Sequence, residues 1–448
     1  MKQPNVIVVF GDQWRAQAFG YAGDPNVQTP RIDALATESV DFRMAVSGCP
    51  VCSPYRASLM TGQRPLHHGV FVNDVPLEPK GTTLAEAFAQ AGYDTAYIGK
   101  WHIDGHGRSN PIPSERHMGF DYWKVLECTH DYNHSPYYAG DSDQKLYWEG
   151  YDAIAQTRDA QAFLREHREG APFLLGLSWG PPHAPYGTAP ERFRALYDPE
   201  ALTLRPNVPP ALEAEAREWL AGYYAHCTAL DHCVGELLDT LDELGLADDT
   251  ILLFTSDHGD MLGSQGQTKK QRPYEESIRI PFLLRYPNMP RWAPRQTEAL
   301  IDAQDVMPTL LGLAGLPIPE SVEGLDFSDY IAGGANPNDG AALLTCPHPF
   351  GQWAKTRHGG REYRGLRTAR YTYARDLEGP WLLYDNEDDP FQQQNRVRDP
   401  EMAELVRSLD DRLQALLDAT GDRFDPGMDY IRRWGYQVDE TGTVRYTL

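Results

Sequence analysis

The chain has 448 residues, of which 41% are hydrophobic, enough apolar material for more than one small domain. Its 41 Lys and Arg stand against 64 Asp and Glu, and the resulting net charge of -23 argues against nucleic acid or an anionic membrane surface as a partner. No apolar run approaches the ~20 residues that span a bilayer, so we predict no membrane segment.

The start of the chain and its cysteines bear on location. The first strand-like run, Val6–Phe10, begins almost at the initiator Met and leaves no room for a signal peptide. We therefore expect a cytoplasmic protein, or a periplasmic or secreted one if a leader has been removed. The six cysteines are too sparse for a disulfide framework, which fits a reducing compartment.

Apolar strand-like runs alternate with helical patterns through the first three quarters of the chain. In chain order these are Val6–Phe10, Thr29–Glu38, Thr82–Gln90, Asp94–Ile98, Ala153–His167, Phe173–Ser178, Ala211–Leu244, Ile251–Thr255 and Ala303–Leu313. Strands that are apolar throughout and separated by helices indicate a sheet covered on both faces. We predict the α/β class, with a large, mixed, mostly parallel sheet sandwiched by helices, as a catalytic domain over residues 1–335.

The pattern changes in the last quarter of the chain. Short apolar runs precede one amphipathic helix, at Ala342–Thr345, Glu362–Arg367, Tyr371–Ala374, Trp381–Tyr384 and Pro400–Ala419. They predict a smaller antiparallel sheet with a helix, an α+β subdomain over residues 336–448. The segment Cys128–Glu149, rich in Tyr, His and Asp, is predicted to be a long loop, and loops of this length are usually functional or mobile.

Three of the predicted strands are followed at once by polar motifs, Gly11-Asp12-Gln13, Gly99-Lys100-Trp101-His102 and Ser256-Asp257-His258-Gly259-Asp260. One Asp at a strand end is often only a cap or turn residue. In open α/β sheets, however, ligands gather beyond the carboxyl ends of the strands, so three such motifs predict one site. Asp12, Gln13, Asp257 and His258 suit Ca²⁺ or Mg²⁺ if oxygen ligands dominate, and Mn²⁺ or Zn²⁺ if the imidazole binds.

A fourth motif is the segment Cys-Pro-Val-Cys-Ser-Pro-Tyr-Arg that begins at Cys49. Ser53 as N-cap and Pro54 at the first helical position place Cys52 just before a helix N-terminus. Free N–H groups there favour a thiolate or a bound anion, and Arg56 lies one turn further on. The alternatives are a redox pair of Cys49 with Cys52 or half of a zinc site, and no second CxxC is present to complete a Cys-only site.

The segment CSPYRASLMTG resembles the signature of formylglycine-dependent sulfatases, in the alkaline phosphatase superfamily, which reads Cys-x-Pro-x-Arg with a downstream Thr-Gly. GDQ, GKWH, PPHAPY and SDHGD with a following lysine occur in the order that this family shows. The resemblance covers essentially the whole chain. Two departures are Tyr55, where Ser is commonest, and metal pairs that read Asp-Gln and Asp-His, as in choline-sulfatase-like and phosphonate-monoester-hydrolase-like members.

The resemblance implies the roles of the site residues. Cys52 would be oxidised to formylglycine (3-oxoalanine) by a formylglycine-generating or anaerobic sulfatase-maturating enzyme. One divalent cation, with Ca²⁺ favoured, would be held by Asp12, Gln13, Asp257 and His258. Arg56 would stabilise the hydrated aldehyde, and the sulfate would be surrounded by Lys100, His102, His183 and Lys270.

We therefore expect a sulfatase acting on a small-molecule or oligosaccharide sulfate ester. Predicted substrate contacts are Asn73, His106, Arg108 and His134. The same cationic pocket would accept phosphonate monoesters or phosphodiesters, which is the first alternative. The second is a catalytically silent sugar-binding protein with unmodified Cys52 and aromatic contacts from the 128–151 region.

Two finer expectations concern neighbouring residues. Cys52 rather than Cys49 should be modified, because Pro54 and Arg56 lie at the required offsets from Cys52 only. Adjacent side chains of an extended segment point to opposite sides, so Lys269 and Lys270 should not both face the site. The family resemblance implies that Lys270 is the one that does, because the family has its lysine four residues before the Tyr of Tyr-Glu-Glu-Ser, here Tyr274.

Overall fold

The computed structural model describes residues 3–447. The strands are β1 to β14 in chain order, Asn5–Asp12, Val40–Phe42, Asp94–Lys100, Tyr122–Leu126, Pro136–Ala139, Leu146–Tyr147, Phe173–Pro182, Thr250–Ser256, Phe282–Arg285, Arg295–Thr297, Ala341–Cys346, Tyr363–Thr368, Tyr371–Asp376 and Gly379–Asp385. The α-helices are α1 to α13, Pro30–Thr37, Cys52–Thr61, Pro65–His68, Leu84–Gln90, Asp152–His167, Glu191–Arg194, Glu213–Glu243, Glu275–Ile278, Ala303–Leu313, Ser328–Ile331, Lys355–His358, Ala403–Thr420 and Gly427–Trp434.

The first ten strands form one sheet in the order β10-β2-β9-β8-β1-β7-β3-β4-β5-β6. Its central strands β8, β1, β7, β3 and β4 are parallel, and antiparallel pairs occur only toward the two edges among the described residues. The predicted large, mixed and mostly parallel sheet is confirmed. All the strands that the sequence predicted before residue 335 lie in this central parallel part.

Helices cover both faces of this sheet, because successive side chains of each central strand point to opposite faces. In β1, Val6, Val8 and Phe10 pack in the core beside α2 and α9, whereas Ile7 and Val9 pack beside α5 and α7. A strand buried on both faces must be apolar at every position, which explains the unbroken apolar run in the sequence. Within residues 3–447, no helix has the length and apolarity that crossing a membrane requires.

The second sheet is antiparallel, with the order β11-β12-β13-β14, and α12 packs on it through Val406, Leu409, Leu413 and Leu417. This confirms the smaller antiparallel sheet with its helix. The chain then returns to the large sheet, since Phe350, Tyr430 and Ile431 belong to the core that contains Val6. The division at residue 335 stays a prediction.

The structure corrects the prediction for Cys128–Glu149. This segment contains the short hairpin β5-β6, and Tyr132 and Trp148 are buried in the core beside α5 and α7. Some of its aromatic side chains are therefore part of the hydrophobic core. Helix α13 and the short strands β2, β9 and β10 were not predicted, because runs of three to eight residues carry too few periods to be recognised.

Candidate active site

The carboxyl ends of β1 and β8 bring two acidic residues together. The strands pair in parallel, with Gly11 opposite Ser256. Asp12 and Asp257, the next residue along the chain in each case, therefore lie side by side at the same edge of the sheet. Both carboxylates are fully buried. The Gln13 backbone N–H donates to Asp257 Oδ1 at 2.9 Å, which ties the two strand ends to each other. Parallel pairing thus gathers motifs that are far apart in sequence.

Helix α2 brings Cys52 to the same point. Cys52 Sγ lies 3.6 Å from Asp12 Oδ1 and 3.3 Å from His258 Nε2. The helix begins at Cys52 itself, two residues earlier than a Ser53 cap would give. The missing cap is supplied from elsewhere, since Asn73 Oδ1 accepts the Ser53 backbone N–H at 3.1 Å. The predicted position of Cys52 at a helix N-terminus holds, and Asn73 fixes that end of the helix.

The side chains of Asp12, Cys52, Asp257 and His258 fit a metal ion. One potential ligand atom from each lies within 4.8 Å of the others, and all four residues are buried. The Nδ1–H of His258 donates to the Gly259 carbonyl at 2.9 Å, which leaves Nε2 with a lone pair directed at the group. The buried Gln13 Oε1 has no hydrogen-bond partner among the described residues, as an amide oxygen awaiting a cation would.

Arg56 holds the two carboxylates in place. Its guanidinium donates to Asp12 Oδ2 at 3.1 Å and to Asp257 Oδ2 at 3.0 and 3.2 Å. The remaining N–H groups donate to the Lys100 carbonyl at 2.8 Å and to Ser178 Oγ at 2.7 Å. Every donor of this fully buried side chain therefore has an acceptor. The implied contact of Arg56 with residue 52 is absent from its hydrogen bonds to described residues.

Two lysine side chains bring positive charge close to the Cys52 thiol. Lys270 Nζ donates to Cys52 Sγ at 2.9 Å, and Lys100 Nζ donates to Asp12 Oδ2 at 2.7 Å. Burial and the Asp12 carboxylate act to raise the pKa of the Cys52 thiol. The charges of Lys270 and Lys100 outweigh them, so this pKa lies well below its ordinary value. The site therefore stabilises negative charge at position 52.

Cys52 lines a cavity of about 330 Å³, together with Lys100, His102, His183 and Lys270 among others. His102 Nε2 lies 3.4 Å from Asp74 Oδ1. The His183 Nδ1–H donates to the Ala184 carbonyl at 2.8 Å, which leaves its Nε2 unprotonated. Burial and the nearby Lys270 hold the pKa of His183 well below its ordinary value.

Of the four predicted substrate contacts, the structure brings two to the cavity. Asn73 and Arg108 line it, and Arg108 donates two hydrogen bonds to Asp74 at 2.8 and 2.7 Å. His106 and His134 are not among the residues that line it. His134 instead stacks on Tyr147, with ring centroids 4.2 Å apart, and the side chain of His106 is 47% exposed.

The expectation that only one of the two adjacent lysines faces the cavity is wrong. Both Lys269 and Lys270 line it, although Lys270 alone contacts Cys52. The argument assumed an extended segment, but Lys269 has a φ of +60°, in the left-handed region. The strict alternation of an extended segment therefore does not apply to this turn.

The cavity residues that the sequence analysis did not single out include Asp74, His130, Arg272 and Tyr446. Asp74 follows Asn73 directly and Arg272 lies two residues after Lys270, and that proximity in sequence was the available signal. The His130 ring stacks on the His183 ring, with ring centroids 4.7 Å apart, and so lies at the cavity. Tyr446 lies there because the C-terminal segment passes along the cavity. Such long-range placements leave no local pattern in a sequence.

Residues 4–316, more than half of the chain, match the family model described as Sulfatase. The chain belongs to the sulfatase family. Residues 263–419 also match the model described as N-sulphoglucosamine sulphohydrolase, C-terminal. The predicted family and enzyme class, a sulfatase that hydrolyses sulfate esters, are therefore confirmed.

Relatives share almost the whole chain. An ulvan-active sulfatase of Formosa agariphila is 45% identical over 97% of this chain and 85% of its own length. A Bacteroides thetaiotaomicron structure, solved in work on the metabolism of multiple glycosaminoglycans, has a TM-score of 0.84 at 29% identity and covers 96% of this chain and 99% of that one. The phosphonate monoester hydrolase of Agrobacterium radiobacter has a TM-score of 0.76 at 25% identity, with 93% and 96% covered.

Proposed function

We propose that this sulfatase cleaves sulfate esters of a carbohydrate with a formylglycine derived from Cys52 and one divalent cation. The observation that carries the proposal is the position of Cys52, whose sulfur lies 3.3 Å from His258 Nε2 and 2.9 Å from Lys270 Nζ at the base of the cavity. A nucleophile between a metal site and a fixed cation is what attack on a sulfate ester requires.

The chain's own residues orient and neutralise the sulfate. Lys270 presents its ammonium group to residue 52 and Lys100 to the neighbouring Asp12, and their burial strengthens their attraction for an anion. His183 or His102 lies where it can exchange a proton with the leaving alcohol oxygen. Arg56 positions the carboxylates of Asp12 and Asp257 and does not itself face the cavity.

We propose Ca²⁺ as the cation, because Asp12, Gln13 and Asp257 offer mainly oxygen ligands. When bound, the cation would polarise the sulfate, and formylglycine would supply a hydrated aldehyde as nucleophile. A formylglycine-generating or anaerobic sulfatase-maturating enzyme is the partner that this conversion requires. For location we keep both proposals, the cytoplasm, or the periplasm or the outside of the cell if a leader is removed; the six buried, unpaired cysteines fit the first.

Two of the similar proteins support a carbohydrate substrate. The 45% identical relative is named for activity on ulvan, and the Bacteroides structure belongs to work on glycosaminoglycans. Both names point to sulfated polysaccharides. The resemblance to a phosphonate monoester hydrolase keeps that substrate class as a comparison for the experiment.

The test is a substrate panel with enzyme whose residue 52 has been shown to be modified. Sulfated hexoses, an aryl sulfate, a phosphonate monoester and a phosphodiester should be compared by kcat/KM. We expect the highest value for a sulfated saccharide. A phosphonate monoester or phosphodiester with the highest kcat/KM would overturn the proposed substrate, and binding of saccharides without any turnover would favour a silent sugar-binding protein.

A further inference from the structure

The cavity carries more positive charge than one sulfate requires. Five lysine and arginine side chains line it, Lys100, Arg108, Lys269, Lys270 and Arg272, against a single carboxylate, that of Asp74. The whole chain, by contrast, has a net charge of -23. A local excess of cations in so acidic a protein is costly unless a ligand offsets it, because like charges in a partly buried site repel one another.

Three of these cations already have a negative or polarisable partner. Lys100 Nζ lies 2.7 Å from Asp12 Oδ2, and Arg108 Nη2 lies 2.7 Å from Asp74 Oδ2. Lys270 donates to Cys52 Sγ. All three cations line the cavity that contains Cys52, and we assign them to the ester sulfate. Two cations, Lys269 and Arg272, remain.

Arg272 is a buried guanidinium without an acid. It is 3% exposed, and no carboxylate of residues 3–447 lies within ion-pair distance of it. Its Nη1 donates to the Lys270 carbonyl, and its Nη2 donates at 3.2 Å to the Gln352 carbonyl and at 3.4 Å to Gln267 Oε1, all neutral oxygens. Its Nε has no acceptor in the described part of the chain.

The pKa of Arg272 is also that of a buried charge without a paired acid. Burial lowers the pKa of the guanidinium to about 10, although the charge of Asp260 acts in the opposite direction. The oxygens of Asp260 are occupied, since they accept hydrogen bonds from Gln13, from Tyr186 and from backbone N–H groups. An unpaired buried charge of this kind is destabilising until an anion reaches it.

Lys269 lies on the same wall. The residue lines the cavity, and its backbone N–H donates to Asp260 Oδ1 at 3.0 Å, which fixes the turn that carries it. The ammonium group has no hydrogen bond or ion pair with any described residue. Burial and the adjacent Lys270 lower the pKa of Lys269. Both effects would be relieved by an anion bound between the loop and the cavity.

We propose that Lys269 and Arg272 form a second anion-binding subsite next to the one for the ester sulfate. The inference rests on the proposed function and deepens it, because it identifies the substrate as a saccharide with at least two anionic groups. The second group is a carboxylate or a further sulfate that is bound and not cleaved. Both are oxyanions that a guanidinium and an ammonium recognise through charge-assisted hydrogen bonds.

The test compares three matched substrates with the modified, metal-containing enzyme. They are a hexose monosulfate, the same unit joined to a uronic acid, and the same hexose with a second sulfate. The measured quantity is the ratio of kcat/KM for each dianion to kcat/KM for the monosulfate. We expect Lys269→Gln and Arg272→Gln each to lower this ratio at least tenfold for one dianion, which identifies the second group. Lys80→Gln, an exposed lysine away from the cavity with the same loss of charge, should leave the ratio unchanged.

A binding measurement separates the subsite from the proposed function. The same three saccharides are titrated calorimetrically into Cys52→Ala protein, with and without Lys269→Gln, and thermal unfolding checks that each variant is folded. Tighter binding of a dianion that Lys269→Gln abolishes supports the subsite even if the unmutated enzyme hydrolyses none of the three, a result that would sink the proposed function alone. Hydrolysis or binding with no preference for a dianion, or a preference that both substitutions leave intact, overturns the subsite.

Discussion

The floor and the rim of the cavity are built differently. The floor consists of Cys52, which lines the cavity, and of the residues that hold it in place, Asp12, Arg56, Asp257 and His258. It comes from strand ends and a helix start, it is almost fully buried, and its charges are paired. The rim, Arg108, Lys269, Arg272 and Tyr446, comes from loops and the C-terminal segment and leaves two charges unpaired. A floor fixed by the sheet holds the bond-breaking chemistry constant, whereas a rim of loops can choose the substrate.

Loss of the nucleophile should have the largest effect on activity. Cys52→Ala should lower kcat by on the order of 10⁶-fold, the scale on which hydrolases respond to removal of the attacking residue. Mass spectrometry of the tryptic peptide 44–56 should show formylglycine at position 52 in the unmutated enzyme.

The matched control is Cys49→Ala, which removes a cysteine three residues away that is 7% exposed and makes no contact with the metal-binding group. This variant should still carry the modification and retain activity. Fully active enzyme with an intact Cys52 thiol would contradict the mechanism.

Removal of the divalent cation should cause the second largest loss of activity. A chelator should reduce kcat/KM on the order of 10³-fold, because a metal at the reacting oxygen contributes several kcal/mol to transition-state stabilisation. Elemental analysis should find one divalent ion per chain. Asp257→Asn should lose that ion, whereas Asp41→Asn, a buried carboxylate of β2 outside the cavity, should keep it. Two tightly bound ions per active chain would refute a single site.

Substitutions of Lys270 and Lys269 should differ in their effect on kcat for a substrate that carries one negative charge. With an aryl sulfate, Lys270→Ala should lose on the order of a hundredfold in kcat, since a fixed cation beside the sulfate contributes roughly 2–4 kcal/mol. Lys269→Ala should cost only a fewfold, because its ammonium does not contact Cys52. The reverse ranking would move the sulfate contact to Lys269.

The sequence was informative about the floor because the floor is made of local patterns. Asp12 and Asp257 end apolar runs that must be central strands, and Cys52 precedes a helix signal, so each could be assigned from its neighbours. Parallel pairing then brings them together without further information. The family resemblance added the roles, which residue types alone do not supply.

The rim could not be predicted for a physical reason. Lys269 and Arg272 line the cavity from a turn with left-handed backbone at Lys269 and Gln271, a conformation that periodicity cannot reveal. His106 and His134 were predicted as contacts because they lie in segments expected to be long loops, and neither lines the cavity. Edge strands such as β10, three residues long, escaped for a related reason, since their position depends on tertiary pairing.

The smallest expected effect lies at the outer rim, at Tyr446. Its ring packs against the Arg108 guanidinium, 3.5 Å from ring centroid to Cζ, and the residue is 41% exposed. A cation–π contact at an exposed site contributes about 0.5–1 kcal/mol, so Tyr446→Ala should raise KM for a sulfated saccharide by about two- to fivefold. Because Asp74 still holds Arg108 through two hydrogen bonds, kcat for an aryl sulfate should stay within twofold. Tyr446→Phe keeps the ring and should restore KM. A fall in kcat in place of a rise in KM would show that the C-terminal segment acts on the floor, and the division between chemistry and substrate choice would then fail at this residue.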